Sequence, residues 1–357
     1  PVIAREAAAL KNYTVTATVP SGKDAAQAYK DLVNALEVIN ANLKSDAKYT
    51  ALADGNDIEA LKLETNYSNE GGKGVDSLAI GFRASAGKDA TEALAVGYKA
   101  KANGVEAVAL GSQSAASGQR ALALGADTVA SGKDAIAIGG KGDTVTTASG
   151  ISAIAIGNGA KTNSNYSVGL GGNVQAYADT SIAIGDRAKT KAGSNRAIAV
   201  GPLARALGEE SVAIGNNAIT GYLTEPENDS NRHNLDKYNA VNYSTAIGGT
   251  AKVYSHYSVA IGNGATVGEL KTENNVTSLK KDAPASVVLG SSSKSLAEGG
   301  TVVGADSELT GKQSAILGRQ STASANNTTV LGANSTAAFA NSVALGQGVT
   351  VTKSEGA

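Results

Sequence analysis

The chain has 357 residues, with 31 Lys and Arg against 32 Asp and Glu, and no Cys. Charges that balance and are scattered exclude the broad electrostatic field that nucleic acid or anionic lipid requires, and the absence of Cys excludes disulfides and thiolate metal sites. Only 4% of the residues are aromatic, Trp and Met are absent, and 43 are Gly, which indicates a thinner core than that of an ordinary globular domain.

The N-terminal residues 1–70 differ in composition from the rest of the chain. Within them, residues 21–44 begin with a possible capping box, Ser21 with Asp24. Apolar residues then follow at spacings of four and three, at Ala25, Tyr29, Leu32, Leu36, Ile39 and Leu43. This pattern predicts an α-helix, either as a short coiled coil or as an amphipathic cap over the open end of the next domain.

A repeat dominates the chain from residue 71 to residue 351. Seventeen glycines each end a short apolar phrase such as "SVAIG", and eleven of the sixteen intervals between them are 14 residues long. Aliphatic residues stand one and three positions before the glycine, with Ala between them, which is typical of a strand. Two turn-like residues follow the glycine, and then two small residues with a variable, often charged residue between them. This pattern predicts a second short strand.

Two strands and two tight turns account for a 14-residue coil, so the repeat predicts an all-β parallel solenoid of about seventeen coils. We expect the small residues of both strands to face each other inside, with the Val and Ile pairs outside and covered by another chain. The candidate interface residues are Ile182, Ile184, Val212, Ile214, Val259 and Ile261. The opposite arrangement, with the aliphatic residues inside, is the alternative.

Near residues 286–331 the usual Ala before the glycine is replaced by larger residues. They are Val288, Val302, Ile316 and Val330. This shift of bulk predicts that the interior of these coils is packed differently from that of the others.

Two insertions interrupt the repeat, at 219–241 and 268–285. The first is polar, contains Pro226 and leads into a tyrosine-rich stretch, and insertions in repeat proteins often form the binding face. It therefore forms either a ligand site or a solvated hairpin that brackets a neighbouring subunit. The candidate ligand-binding residues are Tyr222, Arg232, Lys237, Tyr238, Tyr243, Tyr254 and Tyr257. The second insertion is charged, lacks aromatic residues and is expected to be decoration.

Catalytic and metal chemistry have little support in the sequence. The only histidines are His233 and His256, so a histidine triad or an HExxH zinc site is not predicted. One stretch, "GGKGVDSLA" (71–79), fits a calcium nonapeptide once, whereas such sites need consecutive copies. We expect no enzyme activity, no cofactor and no metal. No apolar run reaches the roughly 20 residues of a membrane-spanning helix, and no signal peptide is expected at the start.

The repeat resembles the YadA-like head of the trimeric autotransporter adhesins of Gram-negative bacteria. The resemblance rests on about seventeen matches in one register. They include "SLAIGFRASAGKD" (77–89), "AVALGSQSAASGQR" (107–120) and "SVAIGNNAIT" (211–220). It implies a homotrimer of left-handed parallel β-rolls on the bacterial cell surface, carried by a stalk and anchored in the outer membrane by a C-terminal part that this chain lacks. Residues 352–357 would then begin the neck.

The resemblance also implies adhesion to host extracellular-matrix proteins, cell-surface receptors or other cells. The balanced, scattered charges predict no nucleic-acid partner. A purely structural spacer head is one alternative. A trimeric left-handed β-helix acyltransferase is another, but its coils have 18 residues. An ice-binding solenoid would need a regular Thr ladder, whereas the outward positions here hold Lys101, Gln175, Lys189, Arg205 and Glu308.

Overall fold

The computed structural model of the chain describes residues 71–140, 145–224, 235–273 and 276–353. The helix predicted within residues 1–70 lies outside these ranges, as do Arg232 and His233. The described residues form an all-β parallel solenoid, and the sequence prediction of the fold is confirmed. Its seventeen coils each contribute one strand to each of two parallel sheets.

The first sheet, called the aliphatic sheet, carries the Val, Ile and Leu pairs of the repeat. Its strands have three residues each and pair in chain order, with the alanines in register from coil to coil, as in Ala95 with Ala109. The strands are β1 (Leu78–Ile80), β3 (Leu94–Val96), β5 (Val108–Leu110), β7 (Leu122–Leu124), β9 (Ile136–Ile138), β11 (Ile154–Ile156), β13 (Val168–Leu170), β15 (Ile182–Ile184), β17 (Ile198–Val200), β19 (Val212–Ile214), β23 (Thr245–Ile247), β25 (Val259–Ile261), β29 (Val287–Leu289), β31 (Thr301–Val303), β33 (Ala315–Leu317), β35 (Thr329–Leu331) and β37 (Val343–Leu345).

The second sheet, called the polar sheet, has two-residue strands in which an outward, variable residue precedes an inward, mostly small one. Each strand again pairs in parallel with its equivalent in the next coil, as Lys101 does with Ala115. The strands are β2 (Ser85–Ala86), β4 (Lys101–Ala102), β6 (Ala115–Ala116), β8 (Val129–Ala130), β10 (Thr147–Ala148), β12 (Lys161–Thr162), β14 (Gln175–Ala176), β16 (Lys189–Thr190), β18 (Arg205–Ala206), β20 (Ile219–Thr220), β24 (Lys252–Val253), β26 (Thr266–Val267), β30 (Lys294–Ser295), β32 (Glu308–Leu309), β34 (Thr322–Ala323), β36 (Thr336–Ala337) and β38 (Thr350–Val351).

The core is a thin layer of small side chains between the two sheets. Alanines of both sheets, such as Ala109 and Ala116, are fully buried, whereas the aliphatic residues that flank them face outward. Ile214 and Ile261 are 37% and 38% exposed, and Leu345 reaches 70%. The expectation that small residues lie inside and aliphatic residues outside is therefore confirmed for the single chain.

The C-terminal coils hold larger residues in the same thin layer. Val288, Val302 and Val330 are completely buried, and so is Leu309 of the polar sheet. Room is made by Gly300, since a Cβ there would lie 2.7 Å from a Leu309 methyl group. In this coil, a glycine thus makes space for the buried leucine.

Serine side chains supply hydrogen bonds at the corners of these coils. The Ser307 hydroxyl donates to the Gly318 carbonyl at 2.8 Å and accepts from the Ser321 backbone N–H at 3.1 Å. Ser321 repeats the same pattern with Gly332 and Ser335. Because a buried backbone group without a partner is costly, these hydroxyls stabilise the corners.

Within the described ranges, most coils turn twice through a residue in the left-handed backbone conformation. In the described residues, 29 non-glycine residues have φ between 50° and 60°. They include Glu106, Gln113 and Tyr166, although few residues other than Gly and Asn adopt this region readily. The backbone compensates, because beyond the first coil the N–H of these residues donates to the preceding coil, as Gln113 does to the Tyr98 carbonyl at 2.7 Å.

The two insertions form antiparallel hairpins beside the solenoid. The first pairs β21 (Tyr222–Leu223) with β22 (Tyr238–Asn239), and the 3-10 helix η1 (Leu235–Lys237) precedes β22. The second pairs β27 (Glu269–Glu273) with β28 (Val276–Lys281). A hydrogen bond of 2.8 Å from the Thr277 N–H to the Thr224 carbonyl joins the two hairpins.

Candidate ligand-binding surfaces

The tyrosines that the sequence grouped as one candidate site belong to two different parts of the coil. Tyr243 and Tyr257 occupy left-handed turn positions, with φ of 54° and 56°. Tyr222 and Tyr238 belong to the first hairpin, and Tyr254 follows β24 of the polar sheet. The predicted site is therefore divided into a corner pair and a hairpin group.

The hairpin group is a small hydrophobic cluster on the outer side of the polar sheet. Tyr238 and Leu235 of the hairpin pack with Leu207, Ile219 and Leu223, and the half-buried Tyr177 and Tyr254 flank them. The side of the hairpin that packs on the polar sheet is therefore apolar, although the insertion as a whole has a polar composition.

Tyr238 is an anchor of this cluster. Its side chain is only 2% exposed, its ring lies 5.6 Å from the guanidinium carbon of Arg205, and its carbonyl accepts a hydrogen bond from Lys191 Nζ at 2.5 Å. The sequence named Tyr238 as a candidate ligand contact; in the structure its ring packs between the hairpin and the polar sheet. Lys237 contributes its carbonyl, which accepts from the Thr224 N–H at 2.7 Å.

Tyr243 and Tyr257 form an exposed aromatic pair on consecutive coils. Their rings are parallel within 5°, and the centroids are 5.2 Å apart. The two side chains are 42% and 65% exposed. Because the left-handed turns fix the direction in which both side chains leave the backbone, the pair presents a preorganised apolar surface to solvent.

Charged residues continue the same corner on the two preceding coils. Arg196 donates to Glu210 at 2.5 Å and to Glu209 at 3.1 Å. The hydrogen bond to Glu210 raises the pKa of Arg196 further, and the negative charge of Glu209, with partial desolvation, raises the pKa of Tyr243. The Tyr243 hydroxyl therefore stays protonated as a donor, next to a charged pair.

His256 supports the corner through its ring nitrogen. Nδ1 accepts a hydrogen bond of 3.1 Å from the Asn242 backbone N–H, and the ring lies 6.4 Å from that of Tyr257. Asn165 and Asn326 accept a backbone N–H from the preceding coil at the same turn position. The histidine thus performs the structural role that Asn has in other coils.

Sequence reasoning missed a second aromatic pair at the opposite corner of the first coils. Phe82 and Tyr98 stack with centroids 5.5 Å apart and planes within 7°, and the cationic groups of Arg83 and Lys99 lie over the two rings. Both aromatic residues directly follow a repeat glycine, so alignment of the coils on that glycine would have placed them together.

The described ranges contain no group of three or more His, Asp or Glu side chains placed to hold a metal ion. In the possible calcium motif at 71–79, Asp76 is one of the left-handed turn residues. Within the same ranges, no helix is long and apolar enough to cross a membrane.

Comparison with known proteins places the repeat in a family. The sequence matches the YadA head domain repeat (2 copies) at residues 89–114, 116–141, 148–173, 165–188, 192–218, 242–265, 310–335 and 323–348, which together cover just over half of the chain. A search among curated proteins gives no significant match.

Among solved structures, the chain is similar to the collagen-binding domain of the Yersinia adhesin YadA. The two share 30% sequence identity over 36% of this chain and 77% of that domain, with a TM-score of 0.26. The repeat, its register and the parallel coils agree with the match to the head repeat, and the chain belongs to the YadA head domain family.

Proposed function

We propose that this chain is the adhesive head of a bacterial surface protein and attaches the cell to a host extracellular-matrix protein or cell-surface receptor. Membership of the YadA head family supports an adhesin function in general, and the solved relative is described as collagen-binding. The observation that carries the proposal is the exposed, parallel pair Tyr243 and Tyr257 on a rigid coil corner.

The proposed active form is a homotrimer. The aliphatic sheet leaves two rows of Val, Ile and Leu side chains partly exposed along seventeen coils, and a surface of this kind aggregates unless a partner covers it. Ile182, Ile184, Val212, Ile214, Val259 and Ile261 lie in these rows. Three copies would cover each other's rows and leave the polar sheets and their hairpins on the outside.

Glutamate substitutions test the trimer. Ile214→Glu with Ile261→Glu should dissociate it because each carboxylate would be buried between chains, whereas Thr336→Glu on the polar sheet should leave it intact. Sedimentation equilibrium gives the mass. A wild-type chain that sediments as a stable monomer would contradict the trimer and leave the adhesion proposal to be tested separately.

The corner pair is proposed as the contact for a protein partner. Tyrosines pair a large apolar face with a hydroxyl and are enriched among the residues that dominate binding energy. Glu210 and Arg196 add charges on the neighbouring coils of the same corner. Three copies of a weak site on one head, and many heads on one cell, multiply the strength of attachment.

A binding screen with matched tyrosine variants tests this site. The full chain is tested on immobilised collagen, other matrix proteins and host cells, and compared with Tyr243→Ala/Tyr257→Ala. Tyr166→Ala is the control, because Tyr166 has the same turn position, a φ of 56° and 60% exposure. Unlike the corner pair, it stacks on no other aromatic ring in the described part of the chain.

We expect the double variant to lose at least about tenfold in affinity, as for a central aromatic contact, while the control binds like wild type and all variants keep their thermal transition. Unchanged binding of the double variant would remove the corner pair from the proposal. Failure of the wild-type head to bind any matrix protein or cell would favour a structural spacer instead.

Display on the bacterial surface, with anchoring in the outer membrane through other segments, is part of the same proposal. Accessibility of the head to antibodies on intact cells measures it.

A further inference from the structure

The second hairpin borders an open cavity on the outer face of the polar sheet. Its volume is about 550 Å³. The wall includes Leu270 of β27, and the floor and rim include Tyr254, Leu296 and the outward residues of several polar-sheet strands. The cavity lies apart from the corner pair. Of the ligand-binding residues predicted from the sequence, Tyr254 alone is among its described lining residues.

Positive charge dominates the lining. Four lysines, at 252, 280, 281 and 294, face two glutamates, at 269 and 308. Lys280 is paired with Glu269 at 2.9 Å. The other three lysines form no ion pair with any residue in the described ranges, so their charges are available to a ligand.

The register of the solenoid sets the distance between two of these charges. Lys252 pairs with Thr266, and Thr266 pairs with Lys294 in the following coil. Two coil steps separate the lysine backbones by about 10 Å. Lys281, at the end of the second hairpin, supplies a third ammonium group beside this row, and the Thr266 hydroxyl lies between the two floor lysines.

The apolar part of the lining favours a sugar over a simple ion. The half-buried Tyr254 is held by an edge-to-face contact with Tyr222, with ring centroids 6.3 Å apart and planes at 89°. Leu270 and Leu296 complete an apolar wall against which the C–H face of a pyranose ring can pack. Glu308 and Thr310 at the rim are acceptors for sugar hydroxyl groups.

We propose that this cavity binds an acidic saccharide. Its carboxylate or sulfate groups would pair with Lys252, Lys281 and Lys294, and one ring would pack on Tyr254. Ammonium groups attract either anion as point charges, so both kinds of acidic sugar share this chemistry. The inference does not rest on the proposed protein partner of the corner pair.

Calorimetric titration of the full chain tests the proposal with four probes. They are a heparin tetrasaccharide, which carries sulfate and carboxylate; a hyaluronan tetrasaccharide, which carries carboxylate alone; neutral chitotetraose; and an oligoglutamate peptide. We expect one or both acidic sugars to bind, more weakly as salt screens the charges, and the neutral sugar and the peptide to bind at least about tenfold more weakly.

Three variants locate the binding. Lys252→Gln/Lys281→Gln/Lys294→Gln should reduce the affinity for the acidic sugar at least about tenfold, and Tyr254→Leu should reduce it while keeping the salt dependence. Lys101→Gln is the matched control, since Lys101 has the outward position of β4 that Lys252 has in β24. Thermal unfolding checks that each variant is folded.

Several outcomes would overturn the proposal. They are equal binding of chitotetraose, equal or tighter binding of the peptide, a Lys101→Gln loss as large as that of the triple variant, or no binding of any probe. Attachment to matrix proteins, measured in parallel, should survive the triple variant, so failure of the saccharide site and failure of the protein site give different results.

Discussion

The thin core makes Gly169 and Val174 a coupled pair whose substitution has a calculable outcome. Gly169 takes the place of the usual inward Ala in β13, and Val174 is fully buried three residues after the repeat glycine. A Cβ at residue 169 would lie 3.1 Å from a Val174 methyl and 2.9 Å from the Thr162 methyl, whereas carbon atoms pack best at about 3.5–4.0 Å.

Each single substitution should destabilise the chain. Gly169→Ala overpacks the layer, at a cost of about 1–3 kcal/mol, which the lower flexibility of Ala offsets by about 0.5–1 kcal/mol. Val174→Ala removes two buried methyl groups worth about 0.8 kcal/mol each and leaves a cavity, so we expect a loss of about 2–3 kcal/mol.

The double substitution should cost less than the sum of the two. The coil that contains Ala199 and Ala204 already has the combination that the double substitution would create. It stacks on Thr190 as the coil of Gly169 stacks on Thr162. The Cβ added at residue 169 would occupy space vacated at residue 174. We therefore expect a favourable coupling energy of about 2 kcal/mol.

Hydrogen exchange of the amides around the altered coil is the suitable assay, because long repeat arrays do not unfold in one step. The N–H of Val168, which donates to the Ser181 carbonyl at 2.9 Å, reports the opening of this coil. Protein concentration is held constant, since association would change the apparent stability. Strictly additive effects of the two substitutions would refute the packing argument.

Three further predictions concern a glycine, a lysine and a histidine. A Cβ at Gly118 would lie 1.9 Å from a carbonyl oxygen of the next coil, while one at Gly140 would meet nothing within 4 Å. Hydrogen exchange around each altered coil should therefore show a loss of about 3 kcal/mol or more for Gly118→Ala and little change for Gly140→Ala. Burial, with nearby arginines, lowers the pKa of Lys189 to about 8 from 10.5. Because the unfolded chain binds this proton more tightly than the folded chain, the stability of the fold should rise as the pH increases between those values. Denaturant titrations at several pH values should show this rise for the wild type and not for Lys189→Met. His256→Ala should cost about 1 kcal/mol through the lost acceptor for the Asn242 N–H, and His256→Asn should cost less, as measured by hydrogen exchange of the amides in this coil.

The repeat allowed the coils, both sheets and the inward alanines to be predicted, because most coils obey the same 14-residue spacing. In a strand where Ala stands between two aliphatic residues, a thin coil favours the arrangement in which Ala points inward and its neighbours point outward. The left-handed turns could not be predicted from propensity, since residues such as Glu106 and Tyr166 adopt them only where the neighbouring coil accepts their N–H groups.

The candidate sites were harder to predict because they combine residues from separate segments. Leu223, Leu235 and Tyr238 are spread through a polar insertion without periodicity, so the burial of Tyr238 was not visible. Tyr254 and Tyr257 are close in sequence but lie on either side of a coil corner. The lysine cavity forms only when the second hairpin folds back, so the insertion that seemed decorative carries a candidate site.

The hydrogen bonds between coils run along the axis of the solenoid, and this direction determines how the head responds to mechanical force. Tension applied between its two ends pulls these bonds nearly along their length and loads the boundaries between coils in series. A coil can then peel away while its neighbours remain folded, because each coil contacts mainly the next. A cell held by such a head under flow could extend the attachment coil by coil before the attachment breaks.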